Sequence, residues 1–251
     1  MLVIISPTKQ MKPYEGRTPY HCPKLIEDSK RIWNELKKLS IEDIKKLMKV
    51  NDKIAQENMQ RYQDMKFDQN GSCALFTYQG LQFQYMRIET EEEIAYLEKH
   101  LRILSGFYGM VRPLDSIYPY RLEMQAKLCV GGEKDIYAFW NHKLADMLME
   151  EVKTHTLPKI IDMASKEYEK AVLPYLPQDV CLTLTFKIRK GEKLKVESTQ
   201  AKMARGRMIH YLAVNKIETL DGIKEFCEDG YRYEAELSSE KEFVFVKDGI
   251  V

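Results

Sequence analysis

The stretch from His100 to Met124, HLRILSGFYGMVRPLDSIYPYRLEM, is the most informative segment of the chain, and any fold must accommodate it. A capping box formed by Thr90 and Glu93 predicts the start of a helix just before this segment. The helix is expected to continue into the segment, because apolar residues recur at helical spacing at Ile94, Leu97, Leu101 and Leu104. Gly106 is a natural C-terminal cap for that helix, and residues 107–109 then turn the chain. The segment therefore predicts a capped helix and a glycine turn, followed by a stretch rich in Arg and Tyr.

Strands and helices alternate through the rest of the chain. β-branched or alternating apolar runs predict strands at 1–5, 72–78, 159–163, 180–188 and 194–197, and a closing hairpin at 231–237 and 243–246. Helical spacing and capping residues predict helices at 24–39, 40–48, 51–62, 135–148 and 199–215, with a short helix after residue 165. No repeat or long linker divides the sequence, so a single domain of residues 1–251 is expected.

Composition excludes several classes of protein. Apolar residues make up 44% and charged residues 31% of the 251 residues, the balance of a folded globular chain, and no run approaches the roughly 18 apolar residues of a membrane span. The five cysteines are scattered without metal-ligand or disulfide spacing, so reduced thiols in a cytoplasm are expected. The net charge is +1, but eight Lys or Arg stand against two Glu between Lys187 and Arg207. A polyanionic partner would therefore have to meet a local basic zone.

Several motifs resemble one known family. The 100–124 segment is similar to the signature of the YaaA peroxide-stress protein family, and the resemblance extends over nearly the whole chain through ISPTK, LMKVNDKIAQENMQRY, DIYAFW, MASKEYEKAV and AKMARGRM. Thr8, Asn51 and Gln125 depart from the family's usual residues. The resemblance implies a cytoplasmic bacterial protein that limits damage during hydrogen-peroxide stress, is linked to lower free iron and binds DNA.

The fold expected from these elements and from the resemblance is α+β (mixed α/β). A curved mixed β-sheet would be flanked by helices, with a helix-hairpin-helix-like element near residues 91–120. In such an element, glycines let backbone N–H groups approach a DNA phosphate closely. Gly106 and Gly109 would form the hairpin, and Arg102 and Arg112 would add phosphate contacts. Two residues separate these glycines where the usual hairpin has one, so a simple turn between two helices is the alternative.

A second set of residues suggests a polar pocket. Arg121 and Glu123 lie among tyrosines, a mixture that lines a pocket or forms a scaffold of ion pairs. Lys202 and Arg205 share one face of a predicted helix, where Gly206 indicates close approach of another backbone or of an anion. Lys9 follows the first strand, where α/β proteins commonly form a site. The predicted anion-binding cluster therefore contains Lys9, Arg102, Arg121, Lys202 and Arg205.

Other kinds of chemistry find little support in the sequence. Ser105 and His100 are five apart, so they would diverge on a helix, and no G-x-S-x-G elbow is present. The remaining histidines have no metal-ligand spacing, and there is no Walker loop or G-x-G-x-x-G fingerprint. No metal, cofactor or catalytic residue is therefore predicted.

Three hypotheses for function remain open. In the first, a non-enzymatic, cytoplasmic peroxide-stress protein binds DNA electrostatically, selecting structure rather than sequence, and limits iron-driven damage. In the second, an enzyme acts on a phosphorylated or nucleotide-like molecule, with Lys9, Arg121, Lys202 and Arg205 holding the anion and Glu123 as acid or base. A third, direct iron sequestration, requires clustered carboxylates and histidines. Convergence of the basic residues in one pocket would favour the second hypothesis, whereas a spread along an open groove would favour the first.

Overall fold

A mixed β-sheet forms the centre of the molecule. The computed structural model describes residues 1–67 and 71–249. The strands in these residues are β1 (Leu2–Ile5), β2 (Ser72–Cys73), β3 (Leu101–Ser105), β4 (Gly109–Val111), β5 (Ser116–Ile117), β6 (Ile160–Met163), β7 (Cys181–Lys190), β8 (Lys193–Lys195), β9 (Arg232–Tyr233) and β10 (Glu242–Asp248). The main sheet has the order β4-β3-β1-β6-β7-β10-β9, and β8 pairs with β7, while β2 and β5 pair separately.

The middle of the main sheet is parallel and its margins are antiparallel. β1 runs parallel to both β3 and β6, and the parallel pairing continues from β6 to β7 and from β7 to β10. The antiparallel pairs β3–β4 and β10–β9 lie at the margins, and β8 pairs antiparallel with the last residues of β7. Every residue of β1, β3 and β6 is buried, as expected for parallel strands covered on both faces, and the carboxyl ends of these strands share one edge of the sheet.

Helices connect and cover the strands. They are α1 (Ile26–Leu36), α2 (Ile41–Met48), α3 (Asp52–Asp64), α4 (Ala74–Thr77), α5 (Leu81–Gln84), α6 (Glu91–His100), α7 (Ile136–Trp140), α8 (Lys143–Val152), α9 (Lys166–Glu169), α10 (Ser198–Val214) and α11 (Leu220–Lys224). Helices α6 and α8 contact β1, and α10 contacts β7, α5 and α6. The predicted mixed α/β fold, with helices beside a mixed sheet, is confirmed.

Several local predictions are also confirmed. Ser40 and Thr90 each open a helix with a reciprocal capping box, which satisfies backbone N–H groups that lack a partner within the helix. The hairpin between β7 and β8 turns at Gly191, whose φ of +59° is readily adopted by glycine. Within the ranges that the structure describes, no helix combines the length and the apolar character that a membrane crossing requires.

The helix-hairpin-helix-like element predicted near residues 91–120 is wrong. Helix α6 ends at His100, and residues 101–105 form β3, which pairs with β1 in the register Val3 with Leu101 and Ile5 with Ile103. The apolar spacing that suggested a longer helix also suits a strand buried on both faces, and pairing with β1 decided between them. The predicted strand at 72–78 is also largely wrong, because only residues 72–73 form a strand, residues 74–77 form α4, and Tyr78 makes an isolated antiparallel bridge with Met11.

Candidate functional site

A cavity of about 540 Å³ lies where β1 and β6 end. Loops after two strands form part of its wall, through residues 6–10 after β1 and Ser165, Glu167 and Tyr168 after β6. The rest of the wall comes from residues 80–82 at the start of α5, the segment 120–123, and Ser198, Lys202 and Arg205 of α10. Parallel strands deliver their carboxyl ends to one edge of the sheet, so side chains far apart in the sequence meet there. We call this space the basic cavity.

Two serines join the two strand ends at this cavity. Ser6 follows β1 and Ser165 follows β6. The Ser165 backbone N–H donates to Ser6 Oγ at 2.8 Å, and the Ser6 hydroxyl donates to Ser165 Oγ at 3.2 Å. These bonds fix the loops that carry Lys9 and Glu167 into the cavity wall.

The segment from Tyr120 to Glu123 is held from three sides. The hydroxyls of Tyr120 and Ser105 are 2.6 Å apart, and Tyr62 donates a hydrogen bond to the carbonyl of Arg121. The third contact is the close packing of the Leu122 backbone against Gly106. Only glycine fits at this position, because a Cβ there would lie 2.6 Å from the Leu122 carbonyl oxygen. Arg121 and Glu123 are therefore placed in the cavity by backbone held against β3 and α3.

The charges that line the basic cavity do not balance. Lys9 Nζ lies 3.0 Å and Arg121 Nη2 3.2 Å from the same oxygen, Oε1 of Glu123. Lys202 and Arg205 have no ion pair with any residue in the described ranges. The lining contains four cationic and two anionic side chains and so has a net formal charge of +2: Lys9, Arg121, Lys202 and Arg205 against Glu123 and Glu167.

Four buried polar atoms of the cavity wall have no hydrogen-bond partner among the residues described. Three are donors, Gln82 Nε2, Arg121 Nε and Arg205 Nε, and the fourth is the acceptor Glu123 Oε2. Burying a polar group without a partner costs about 1–3 kcal/mol, and more for a charged group. Four such atoms around one cavity therefore indicate an arrangement completed by something that binds there.

Burial also shifts the ionisation of groups at the cavity. It raises the pKa of the Glu167 carboxyl and lowers the pKa of the Arg205 guanidinium. Beneath the cavity, Asp162 of β6 is completely buried, and this burial raises its pKa to about 7 against the opposing effect of Arg205. Near neutral pH, a substantial share of Asp162 is thus uncharged, and it only partly neutralises Arg205.

The structure brings four of the predicted anion-binding residues together: Lys9, Arg121, Lys202 and Arg205 all line the basic cavity. Arg102 is elsewhere, because its Nε lies 2.5 Å from Glu151 and its Nη1 donates to two backbone carbonyls. Arg112 is paired with Asp115 at 3.3 Å and lines, with Arg102, a second cavity of about 710 Å³. The cluster predicted from the sequence is thus divided between two cavities, and its role in binding stays a prediction.

The glycine hairpin does not have the geometry predicted for phosphate binding. Gly106 and Gly109 are buried in the turn from β3 to β4, and the backbone N–H groups of Phe107 and Tyr108 donate to Ser105 Oγ at 3.2 and 2.8 Å. The N–H groups at the tip of the turn are therefore already bonded inside the protein. Neither of the two readings from the sequence is correct, because the glycines join two strands rather than two helices.

Of the two alternatives predicted for Gly206, close approach of a backbone or of an anion, the structure shows the backbone contact. A Cβ at this position would overlap the carbonyl oxygen of Gln82, so glycine lets α10 pack directly against α5. This close approach brings Arg205 and Gln82 to the same wall of the basic cavity.

Ser105 and His100, considered above as a nucleophile and its base, contact different partners in the structure. Ser105 is buried and bonded to Tyr120, whereas His100 contacts the Met1 carbonyl and Glu218. Within residues 1–67 and 71–249, no three His, Cys, Asp or Glu side chains come together as a metal site would need.

Sequence reasoning missed several residues of the cavity. Ser6 directly follows β1 and Ser165 is the second residue after β6, and this shared position beside the end of a buried strand was a usable signal. Gln82 had no such signal, because its place depends on the packing of α5 against α10.

Comparisons with known proteins place these observations in context. Residues 1–237 match the family model described as peroxide stress protein YaaA. The chain is 40% identical to a UPF0246 protein of Clostridioides difficile over 252 residues, which cover 99% of this chain and 100% of the relative. A UPF0246 protein of Agathobacter rectalis is 40% identical over 98% of both chains, and one of Pediococcus pentosaceus is 39% identical over 99% of this chain and 98% of its own length.

Proposed function

The chain belongs to the YaaA (UPF0246) family of peroxide stress proteins, and from this premise we propose that it acts in the cytoplasm by binding a small phosphorylated molecule in the basic cavity. The proposal concerns the site through which the protein takes part in the stress response. The positions of its polar groups define the kind of ligand.

The observation that carries the proposal is the set of four buried, unpartnered atoms around one cavity. Gln82, Arg121 and Arg205 each offer an unused N–H, so a ligand with several acceptor oxygens would satisfy all three. Planar guanidinium groups suit phosphate oxygens particularly well, because they present donors in a fixed fork. Glu123 Oε2 also lacks a hydrogen-bond donor, and a hydroxyl, an N–H group or a singly protonated phosphate of the ligand would supply one.

Charge and size agree with this ligand class. The lining has a net formal charge of +2, and a phosphate monoester carries about −1.5 to −2 at neutral pH. A volume of about 540 Å³ falls within the range of about 300–1,000 Å³ that small-molecule sites occupy. Convergence of four basic residues in such a space is the arrangement that favours a small ligand over a duplex.

If the bound molecule also reacts, Glu123 is the group to transfer a proton. Lys9 and Arg121 hold one of its oxygens, and the other is buried without a hydrogen-bond partner among the described residues. Replacement by glutamine would keep the size of the side chain and remove its basicity. Glu123→Gln should then retain ligand binding and abolish turnover.

Calorimetric titration with inorganic phosphate tests the binding proposal. Arg205→Met removes one charged donor, and since a charge-assisted hydrogen bond contributes about 1.5–3 kcal/mol, the Kd should rise about 10- to 100-fold. Lys46→Met is the matched control, because Lys46 is exposed on α2 and the charge change is the same. The proposal fails if phosphate does not bind to the wild-type protein, or if the two variants bind it equally well.

DNA binding is a second candidate, supported by a different surface. Lys193 and Lys195 of β8 are exposed and have no ion pair with a residue of the described ranges, and they lie in the basic zone between Lys187 and Arg207. Phosphate contacts by lysine release counterions, so the affinity for duplex DNA should fall steeply with salt.

A double variant tests this candidate. Lys193→Ala with Lys195→Ala should reduce the slope of log affinity against log salt by about 2, measured by fluorescence anisotropy with a duplex between 50 and 200 mM salt. Lys46→Ala should leave the slope unchanged. Binding that is insensitive to salt, or a double variant with the wild-type slope, would exclude this surface.

A further inference from the structure

Another cavity, of about 560 Å³ and distinct from the one lined by Arg102 and Arg112, adjoins the basic cavity. It is lined by residues of α3 together with Gln79 and Gln84, and it shares Lys9, Gln10 and Arg121 with the basic cavity. Lys9 and Arg121 therefore stand at the boundary between the two spaces, and one molecule can contact both. We call the second space the amide cavity.

Asn58 gives the amide cavity its first distinctive feature. The residue is only 1% exposed, and its Nδ2 donates to the Ile54 carbonyl at 2.8 Å. Only the amide nitrogen can donate to a carbonyl, so this bond also settles which side-chain atom is the oxygen. That oxygen, Oδ1, is buried and has no hydrogen-bond partner among the described residues, and it requires a donor.

Two further amides have the same orientation. Gln79 Nε2 donates to the Phe76 carbonyl at 2.7 Å, and Gln84 Nε2 donates to the Gln79 carbonyl at 2.9 Å. Both nitrogens are thus engaged with the backbone, and Oε1 is left as the available side-chain acceptor in each case. The charged Arg61 of the same lining is paired with Glu57 on α3.

The amide side chains therefore differ between the two cavities in the groups they leave free, while the amide cavity also contains the cationic side chains of Lys12 and of the shared residues Lys9 and Arg121. The basic cavity offers unused donors from Gln82, Arg121 and Arg205, whereas the amide cavity offers acceptor oxygens from Asn58, Gln79 and Gln84. A ligand that matches both has acceptor oxygens at one end and N–H or O–H groups at the other.

We propose that the amide cavity is a second subsite, which binds the hydroxyl- or amine-bearing part of a phosphate ester whose phosphate lies in the basic cavity. This inference rests on the proposed function and deepens it, because it assigns the class of ester. The hydroxyls of a sugar and the exocyclic amine of a nucleobase are two sources of the same donor chemistry.

Three probes separate the contributions of the two subsites in calorimetric titrations: inorganic phosphate, ribose 5-phosphate and AMP. Wild-type protein should bind at least one ester about tenfold more tightly than inorganic phosphate. A further gain of about tenfold from ribose 5-phosphate to AMP would identify the base as the donor, and equal affinities would identify the sugar.

Asn58→Leu tests the subsite directly. The variant should lose the tenfold preference for the ester and keep the wild-type Kd for inorganic phosphate. Gln56→Leu, an exposed amide on the same helix, is the matched control and should keep the preference. If Asn58→Leu does not fold, Gln84→Leu provides the same test, because Gln84 is exposed and tolerates substitution.

The outcomes distinguish this inference from the proposed function. Equal binding of all three probes by the wild-type protein, or an unchanged ester preference in a folded Asn58→Leu or Gln84→Leu variant, overturns the second subsite and leaves phosphate binding intact. Failure of inorganic phosphate to bind the wild-type protein overturns the proposed function itself.

Discussion

The buried carboxyl of Asp162 should make the stability of this protein depend on pH in a defined way. Asp162 lies in the middle of β6, completely buried, and its Oδ1 accepts a hydrogen bond from the Ala164 N–H at 2.8 Å. Burial raises its pKa from 3.8 to about 7, with hydrogen bonding and Arg205 acting in the opposite direction. Because the pKa is raised on folding, the folded protein retains the proton at pH values where the unfolded chain has lost it.

The sign and size of the effect follow from this difference. Below pH 3.8 Asp162 is neutral in the folded and the unfolded state, and its ionisation does not lower the free energy of unfolding. Above about pH 7 it is ionised in both states, and the free energy of unfolding is lowered by the full cost of burying the charge. The interval between 3.8 and about 7, at about 1.4 kcal/mol for each pH unit, corresponds to a cost of about 4 kcal/mol. Stability contributed by the neutral carboxyl is therefore lost as the pH rises through this interval.

Asp162→Asn isolates this contribution, because asparagine keeps the shape and the acceptor and does not ionise. Relative to wild type, the free energy of unfolding of the variant should increase by about 3 kcal/mol between pH 5 and pH 8, measured by urea denaturation. Asp179→Asn, the same change at an exposed position, should show no such trend. A difference between variant and wild type that is constant across this range would refute the reasoning.

Three further variants test how the structure supports the site. Gly106→Ala should lower the free energy of unfolding by about 1–3 kcal/mol and weaken phosphate binding, because its Cβ would push the backbone that carries Glu123; a wild-type Tm and Kd would contradict this. Arg102→Met should destabilise the fold by about 1–3 kcal/mol in urea denaturation, because Glu151 keeps only Lys24 as a partner and two backbone carbonyls lose their donor, while the Kd for phosphate stays unchanged; weaker phosphate binding would argue against the separation of the two cavities. Ser40→Ala should cost about 1 kcal/mol in the same assay through loss of a helix cap, and no loss would mean that the capping box contributes little.

Local patterns in the sequence predicted a large part of the fold. The capping boxes at Ser40 and Thr90, the buried run at 1–5 and the alternation that became β7 all depend on neighbours within a few residues. Such patterns act before any tertiary contact is made, so they can be read without one. Lys9 was also placed correctly beside a strand end, because strand ends are marked by local breaks such as Ser6-Pro7.

The segment from His100 to Ser105 shows where local patterns fail. Its apolar residues fit a helix and a doubly buried strand equally well, and pairing with β1, about a hundred residues away, selected the strand. The same choice turned the glycine hairpin into a buried β-turn and directed Arg102 toward Glu151. No property of these residues alone contains that information.

The sequence by itself determined the mixed α/β class and the family, and it predicted a basic cluster of Lys9, Arg102, Arg121, Lys202 and Arg205. Of these five, Lys9, Arg121, Lys202 and Arg205 line the basic cavity. Only the tertiary structure decided that these four converge in one cavity, that Arg102 and Arg112 belong to another, and that Asn58 faces an adjoining space. The reason is physical: charge and hydrogen-bonding capacity are properties of a residue, whereas an unpartnered buried atom arises only when distant elements pack around it.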